Sequence, residues 1–171
     1  RDHALRVDAE KLSTASETIK QLLPEVLNAD NLETLRGVEG AAATVYFGVL
    51  DEMILNSNKE FRFRGRNRRP PRDPVNALLS FAYALLSNDC ISALESVGPG
   101  RSSLALDLME EFRPCVADRF VLTVLNNRMV KPSDFVVQEN GSVLLKDDAR
   151  RMILKLWQEK KQDRITHPYT G

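Results

Sequence analysis

Several familiar signals are missing from this sequence, and each absence narrows what the chain can be. It has only two cysteines, Cys90 and Cys115, with neither CxxC spacing nor a histidine close by. They read as ordinary buried thiols in a reducing compartment. No run of about 18 apolar residues occurs, so neither a membrane-spanning helix nor a membrane partner is expected. The opening residues, RDHALRVDAEK, carry no signal-peptide pattern and no Met, and helical sequence begins at once, as in a fragment of a longer chain. There is no excess of either charge: 24 Lys plus Arg stand against 24 Asp plus Glu, so global charge points to no partner. Internal repeats and low-complexity tracts are also lacking. What is present is 171 residues at 43% hydrophobic and 28% charged, enough for one ordinary globular domain with a sizeable core.

The periodicity is overwhelmingly helical. From about Asp8 to Leu27, the residues Leu12, Ala15, Ile19, Leu22, Leu23 and Val26 fall at helical spacing, with Pro24 expected to kink or shorten the helix. Asp30-Asn31-Leu32-Glu33 reads as a helix start with an acid cap, Asp30, and Glu33 three residues on. Leu35, Val38, Ala42, Val45, Tyr46, Val49 and Met53 then support a helix from about Val38 to Leu55. Gly37 and Gly40 flank Glu39, where they cost helicity about 1 kcal/mol each relative to Ala. They mark either a turn between two helices or a place where a ligand approaches the backbone. Asp73-Pro74 opens a helix to about Leu86, apolar on most sides, with Asn76 and Tyr83 as its polar exceptions. A short helix, Asp89 to Val97, and the loop Gly98-Pro99-Gly100 follow. Beyond Pro114, the residues Val116, Phe120, Val121, Val124 and Leu125 mark another helix. The β signal is DFVVQENGSVLL, Asp134 to Leu145, with Asn140-Gly141 as the pair for a two-residue hairpin turn. Asp147 caps a last amphipathic helix to about Lys161. The expected fold class is mainly α, with one minor β-hairpin.

Two stretches carry chemistry. Residues Glu60 to Asp73, EFRFRGRNRRPPRD, interleave Arg62, Arg64, Arg66, Arg68, Arg69 and Arg72 with Phe61, Phe63, Gly65 and a Pro-Pro pair. Arginine is well suited to paired hydrogen bonds with phosphate, and such a stripe is the footprint of a nucleic-acid binder. A plain solvated loop is the other reading. Residues Arg101 to Pro114, RSSLALDLMEEFRP, put Asp107, Glu110 and Glu111 into an otherwise apolar helix, beside a stripe of Leu104, Leu108 and Phe112. Asp107 and Glu110 are three apart and share a face. Clustered acids on a half-buried helix need solvent, an arginine or a metal ion to offset them. An oxygen-only cluster suits a hard cation such as Mg²⁺ or Mn²⁺.

These blocks match a family. Asp73-Pro-Val-Asn-Ala-Leu-Leu-Ser-Phe-Ala-Tyr, followed by Gly-Arg-Ser-Ser-Leu-Ala-Leu-Asp-Leu-Met-Glu-Glu-Phe-Arg-Pro, closely resembles the catalytic domain of the CRISPR-associated spacer-acquisition integrase, Cas-one. Leu35-Arg-Gly-Val-Glu-Gly and the later Asp134-Phe…Gly-Ser-Val-Leu-Leu fit in the same order, and the resemblance covers nearly the whole chain. The Arg-rich loop with its Pro-Pro-Arg-Asp-Pro exit looks like the subtype I-C branch. The resemblance implies a C-terminal α-helical catalytic domain whose N-terminal β domain is absent here. It also implies a metal-dependent DNA endonuclease and integrase in the prokaryotic cytoplasm. Implied partners are double-stranded DNA (the prespacer and the CRISPR repeat), a Cas-two dimer and a second copy of the chain.

By motif, the resemblance assigns Glu39 and Glu110 to an Mg²⁺ or Mn²⁺ site. Asp107 stands one helical turn away as a third catalytic acid, and Glu111 lies outside. Arg113 matches a basic position of the same motif. Arg62, Arg64, Arg66, Arg68, Arg69, Arg101 and Arg113 are the candidate DNA contacts, and Asn76 and Tyr83 the candidate supports of the active site. The family's histidine ligand has no counterpart, because His3 and His167 both stand in the wrong place. In the family it precedes the Pro-Gly-Arg that leads into the acidic helix, whereas here Val97-Gly98 runs straight into Pro99-Gly100-Arg101. A loop of about a dozen residues is therefore expected to be missing between Gly98 and Pro99, or truly deleted. The reading from another class is a non-catalytic helical scaffold for DNA or Cas-two. A helix-turn-helix regulator is disfavoured, since no helix combines a basic face with a tight Gly turn before it.

Overall fold

A computed structural model describes residues 8–67, 69–96, 98 and 102–162. The sequence reads as one helical domain; the chain packs as two compact units, 1–66 and 67–171. The described residues are mainly α, with one two-stranded antiparallel sheet.

In the first unit, α1 (Ala9–Gln21) and α2 (Leu23–Leu27) pack on α3 (Leu32–Val49). Pro24 acts as expected: it sits in the first turn of α2, where its missing N–H costs nothing, and the helical run is split in two there. Asn31, not Asp30, caps α3, its Oδ1 accepting from Thr34 N at 2.8 Å. The helix then runs unbroken through Gly37 and Gly40 and stops at Val49, so it starts earlier and ends earlier than periodicity suggested. Ala15, Val38, Leu50, Ile54, Phe61 and Phe63 form the core of this unit. Leu23 and Val26, placed on an apolar stripe by their spacing, are exposed, as is Leu27.

The second unit is built on α4 (Pro74–Glu95), which touches α5 (Ser102–Phe112), α6 (Arg119–Asn126) and the second strand of the hairpin, Val143–Leu145. Two helices were expected over this span. One 22-residue helix forms, because Ser87, Asn88 and Asp89 contain no Gly or Pro to stop it. By length and a mean hydropathy of 1.4, α4 also passes for a membrane span, which its interrupted apolar runs conceal in the sequence. Val75, Ala77, Leu78, Leu79, Ala82 and Leu86 are instead buried against the rest of this unit. Asp89, read as a helix start, is used otherwise: it accepts from Trp157 Nε1 at 2.7 Å and from Lys161 Nζ at 2.8 Å, pinning α7 (Asp147–Lys160). Trp157 meets Phe120 edge-on with ring centroids 5.0 Å apart. Cys90 is buried, which together with Asp89 raises its thiol pKa, whereas Cys115 is only half buried.

The hairpin pairs β1 (Phe135–Val137) with β2 (Val143–Leu145), Phe135 opposite Leu145 and Val137 opposite Val143. The turn is longer than the expected two residues. Gly141 N donates to Gln138 O at 2.9 Å and Gln138 N to Ser142 O at 2.8 Å, which leaves Asn140-Gly141 as the last half of a four-residue turn. Gly141 has φ +77°, which explains a glycine there.

At the end of α6, Met129 N reaches back to Val124 O at 2.9 Å, and Arg128 takes φ +54° without being glycine. A side chain in that region costs about 1 kcal/mol. Arg128→Gly is expected to raise stability by about 0.5–1 kcal/mol, read as a higher urea midpoint at unchanged slope.

Candidate functional site

On α5, Ala105 faces inward at 1% exposure, and Asp107, Glu110 and Glu111 lie on the exposed side. Leu104, expected beside Leu108 and Phe112 on a buried stripe, is 42% exposed, and Leu106 is exposed as well. The acids thus keep their access to solvent, and one of them also has an arginine. Arg113 Nη2 donates to Glu110 Oε1, one turn along the chain. Of the three ways to offset the acid cluster, the arginine is present.

Arg113 shares the face of Glu110 by ordinary three-residue spacing, and the chain just beyond it is shaped by Pro114. With no N–H it cannot bond back to the Glu110 carbonyl, so the α-helical ladder stops at Phe112. The chain continues as a wider π turn, Arg113–Asp118, before α6 begins. The extra residue rotates the side chains after Pro114 and brings Asp118 inward, to 1% exposure. There Asp118 Oδ1 accepts from Tyr83 Oη of α4 at 2.6 Å. The guanidinium of Arg113 lies over the Tyr83 ring, 4.9 Å from its centroid. Asp118, Tyr83, Arg113 and Glu110 therefore form one connected row. Arg113 is 14% exposed, and its Nε is buried with no acceptor.

The other sequence-predicted residues are distributed as follows. Asn76 is fully buried at the cap of α4. Its Nδ2 donates to Asp73 Oδ2 at 2.7 Å, its N to Asp73 Oδ1 at 2.8 Å, and its Oδ1 accepts from Asn67 N at 3.0 Å. Asn67 closes the network, its Nδ2 donating to Asp73 Oδ2 and its Oδ1 accepting from Arg72 N. These bonds hold the arginine-loop exit to α4. Glu39 is exposed on α3 in the first unit, whereas Asp107 and Glu110 belong to the second. Arg68 and Arg101 lie outside the described residues, as do His3, His167 and Pro99 of the Gly98–Pro99 junction.

The arginine loop is better anchored than its composition suggested. Phe61 and Phe63 are buried at 1% and 5% exposure, and Phe63 packs against Phe47 of α3 at 6.0 Å. The interleaving of Phe and Arg is an alternation of inward and outward residues. Arg62 donates to Asp51 Oδ2 at 2.6 Å, and Asp51 Oδ1 also accepts from Phe63 N at 2.7 Å. Arg64, Arg69 and Arg72 are exposed, while Arg66 is half buried. Sequence reasoning missed Asp51 and Asp118. The only trace of Asp118 is an acid in the apolar segment after Pro114.

Asp107 and Glu110 offer a pair of oxygen donors of the kind Mg²⁺ and Mn²⁺ take. Among the described residues, no three His, Cys, Asp or Glu side chains form a metal group.

This is a helical domain of the type seen in CRISPR-associated proteins. It is similar to a CAS1 protein from Thermotoga maritima, with a TM-score of 0.75 and 27% identity over 84% of this chain and 49% of that one. It is also similar to a Cas6-RT-Cas1–Cas2 complex, with a TM-score of 0.80 and 26% identity, covering 95% of this chain and 19% of that one. The model of the family "CRISPR associated protein Cas1" matches residues 1–159, and the chain belongs to that family. The CRISPR-associated endonuclease Cas1 1 of Chlorobaculum tepidum is 44% identical over 183 aligned positions, covering 100% of this chain and 53% of that protein. Those 183 positions exceed this chain's 171 residues by 12, so at least 12 positions of the relative have no residue here. The chain spans about half the length of the curated relatives it matches.

Asn76→Ala would leave Asp73 and Asn67 short of partners in a buried network. Chemical denaturation should show a loss of about 2 kcal/mol, and Tyr83→Phe should cost about 1–2 kcal/mol by removing the bond to Asp118.

Proposed function

We propose that this chain is the helical catalytic part of a metal-dependent DNA endonuclease and integrase of CRISPR adaptation, of subtype I-C. The observation that carries this reading is the acid pair Asp107 and Glu110 on the exposed face of α5, inside a segment that matches the Cas1 family. A similar protein is named an endonuclease, and a solved complex with this fold contains Cas1 and Cas2. The 3′-hydroxyl of a short duplex attacks a phosphodiester at the edge of a CRISPR repeat and displaces the 3′-hydroxyl of the cut strand. Glu110 and Asp107, with Glu39 assigned by its motif, would hold Mg²⁺ or Mn²⁺. When bound, the ion polarises a phosphoryl oxygen and offsets the charge that develops there. Exposed Arg64 and Arg69 provide phosphate contacts, with Arg66 and Arg113 in support. Arg62, already bonded to Asp51, contributes less. Duplex DNA, a Cas2 dimer and a second Cas1 copy are the partners.

A non-catalytic scaffold is the competing reading. Glu110 paired with Arg113 favours it. Integration of a labelled duplex into a repeat-bearing plasmid, with Mg²⁺ or Mn²⁺, separates the two readings. Glu110→Ala and Glu39→Ala should each lower the rate by more than about 100-fold. Full activity in either variant would overturn its assignment. No integration by the parent chain, joined to the N-terminal half of a relative, favours the scaffold.

Duplex affinity should also fall about tenfold or more between 50 and 200 mM salt, as expected when several phosphates are contacted, and Arg64→Ala with Arg69→Ala should flatten that slope. A flat profile in the parent chain would remove the arginine loop from the DNA interface.

A further inference from the structure

Glu110 has a cation beside it that belongs to the protein. Arg113 is held by more than its ion pair with Glu110, because its guanidinium also lies 4.9 Å over the ring of Tyr83. Tyr83 is oriented in turn by its 2.6 Å bond to Asp118, a carboxylate buried at 1% exposure. The arginine is thus positioned from α4 and from the π turn as well as by Glu110. Its pairing is not an optimised structural bridge. One donor, Nε, is buried without an acceptor, and a buried unmade hydrogen bond is costly. Glu110 is 46% exposed and open to a competing cation.

We propose that Arg113 is a built-in counter-cation for Glu110, seated on Tyr83 and Asp118, which a divalent ion must displace to bind. This inference rests on Glu110 being a metal ligand. Arg113 is then a positioning residue: it keeps the Glu110 carboxylate neutralised and in place while no ion is bound. Displacement would free a guanidinium next to the Glu110 carboxylate. Asp107, with no such partner among the described residues and exposed, is the acid a cation can reach first.

The test is Mn²⁺ titration calorimetry on the full chain. Glu110→Gln should abolish most of the binding heat; if it binds Mn²⁺ as tightly as the parent, the metal-site reading itself fails and the inference with it. With that control passed, Arg113→Gln should tighten Mn²⁺ binding about fivefold, the factor equivalent to a part-exposed ion pair of about 1 kcal/mol. Unchanged or weaker binding would overturn the inference alone. A second measurement needs no substitution at Arg113. In the parent protein, the Nε–H resonance of Arg113, assigned through its contact with the Tyr83 ring, should move on adding Mg²⁺ and stay fixed in Glu110→Gln. A resonance that stays fixed in the parent at saturating Mg²⁺ would refute the displacement.

Discussion

Pro114 denies α5 its next backbone hydrogen bond, and the arrangement of the second unit around the acids depends on that denial. A residue with an N–H here would let the α ladder continue and keep Asp118 in ordinary helical register. Instead the chain widens into the π turn Arg113–Asp118. Arg113 keeps the i, i+3 spacing that lets it pair with Glu110, and the shift accompanies the inward turn of Asp118 to receive Tyr83. The local cost of breaking the ladder is offset by the buried hydrogen bond that Asp118 accepts from Tyr83.

α4 is the other fixed element of this unit. Its N-terminus is locked by the Asp73, Asn76 and Asn67 network, its middle presents Tyr83, and its C-terminal half holds Trp157 and Lys161 through Asp89. Charged and polar side chains are placed along one long apolar helix at intervals, each with a partner from a different segment. Such a helix transmits position well: the same rigid rod that anchors the exit of the arginine loop also carries the tyrosine that seats Arg113.

The elements themselves were largely legible. Capping residues, helical spacing and the Asn-Gly pair correctly indicate a mainly α chain with one hairpin. The errors share a physical reason. Glycine at positions 37 and 40 weakens a helix by about 1 kcal/mol each, and packing of α1 on α3 outweighs that locally. Ser87, Asn88 and Asp89 look like a helix break only when tertiary partners are ignored. Leu23, Val26 and Leu27 repeat with helical period, yet period says nothing about what covers a face.

The sequence by itself determined the mainly α class with one hairpin and the family, because these depend on local spacing and on residue order. It also left three ways to offset the acid cluster on α5. The tertiary structure shows solvent at all three acids and the arginine at Glu110, and what seats that arginine comes from other segments. Arg113 stands three residues from Glu110, within reach on any helix, but it is Tyr83 and Asp118, 35 residues apart in the chain, that seat it there. Tyr83 could be suspected from its place on an apolar helix. Asp118 could not, because a one-residue shift in a π turn leaves no periodic trace.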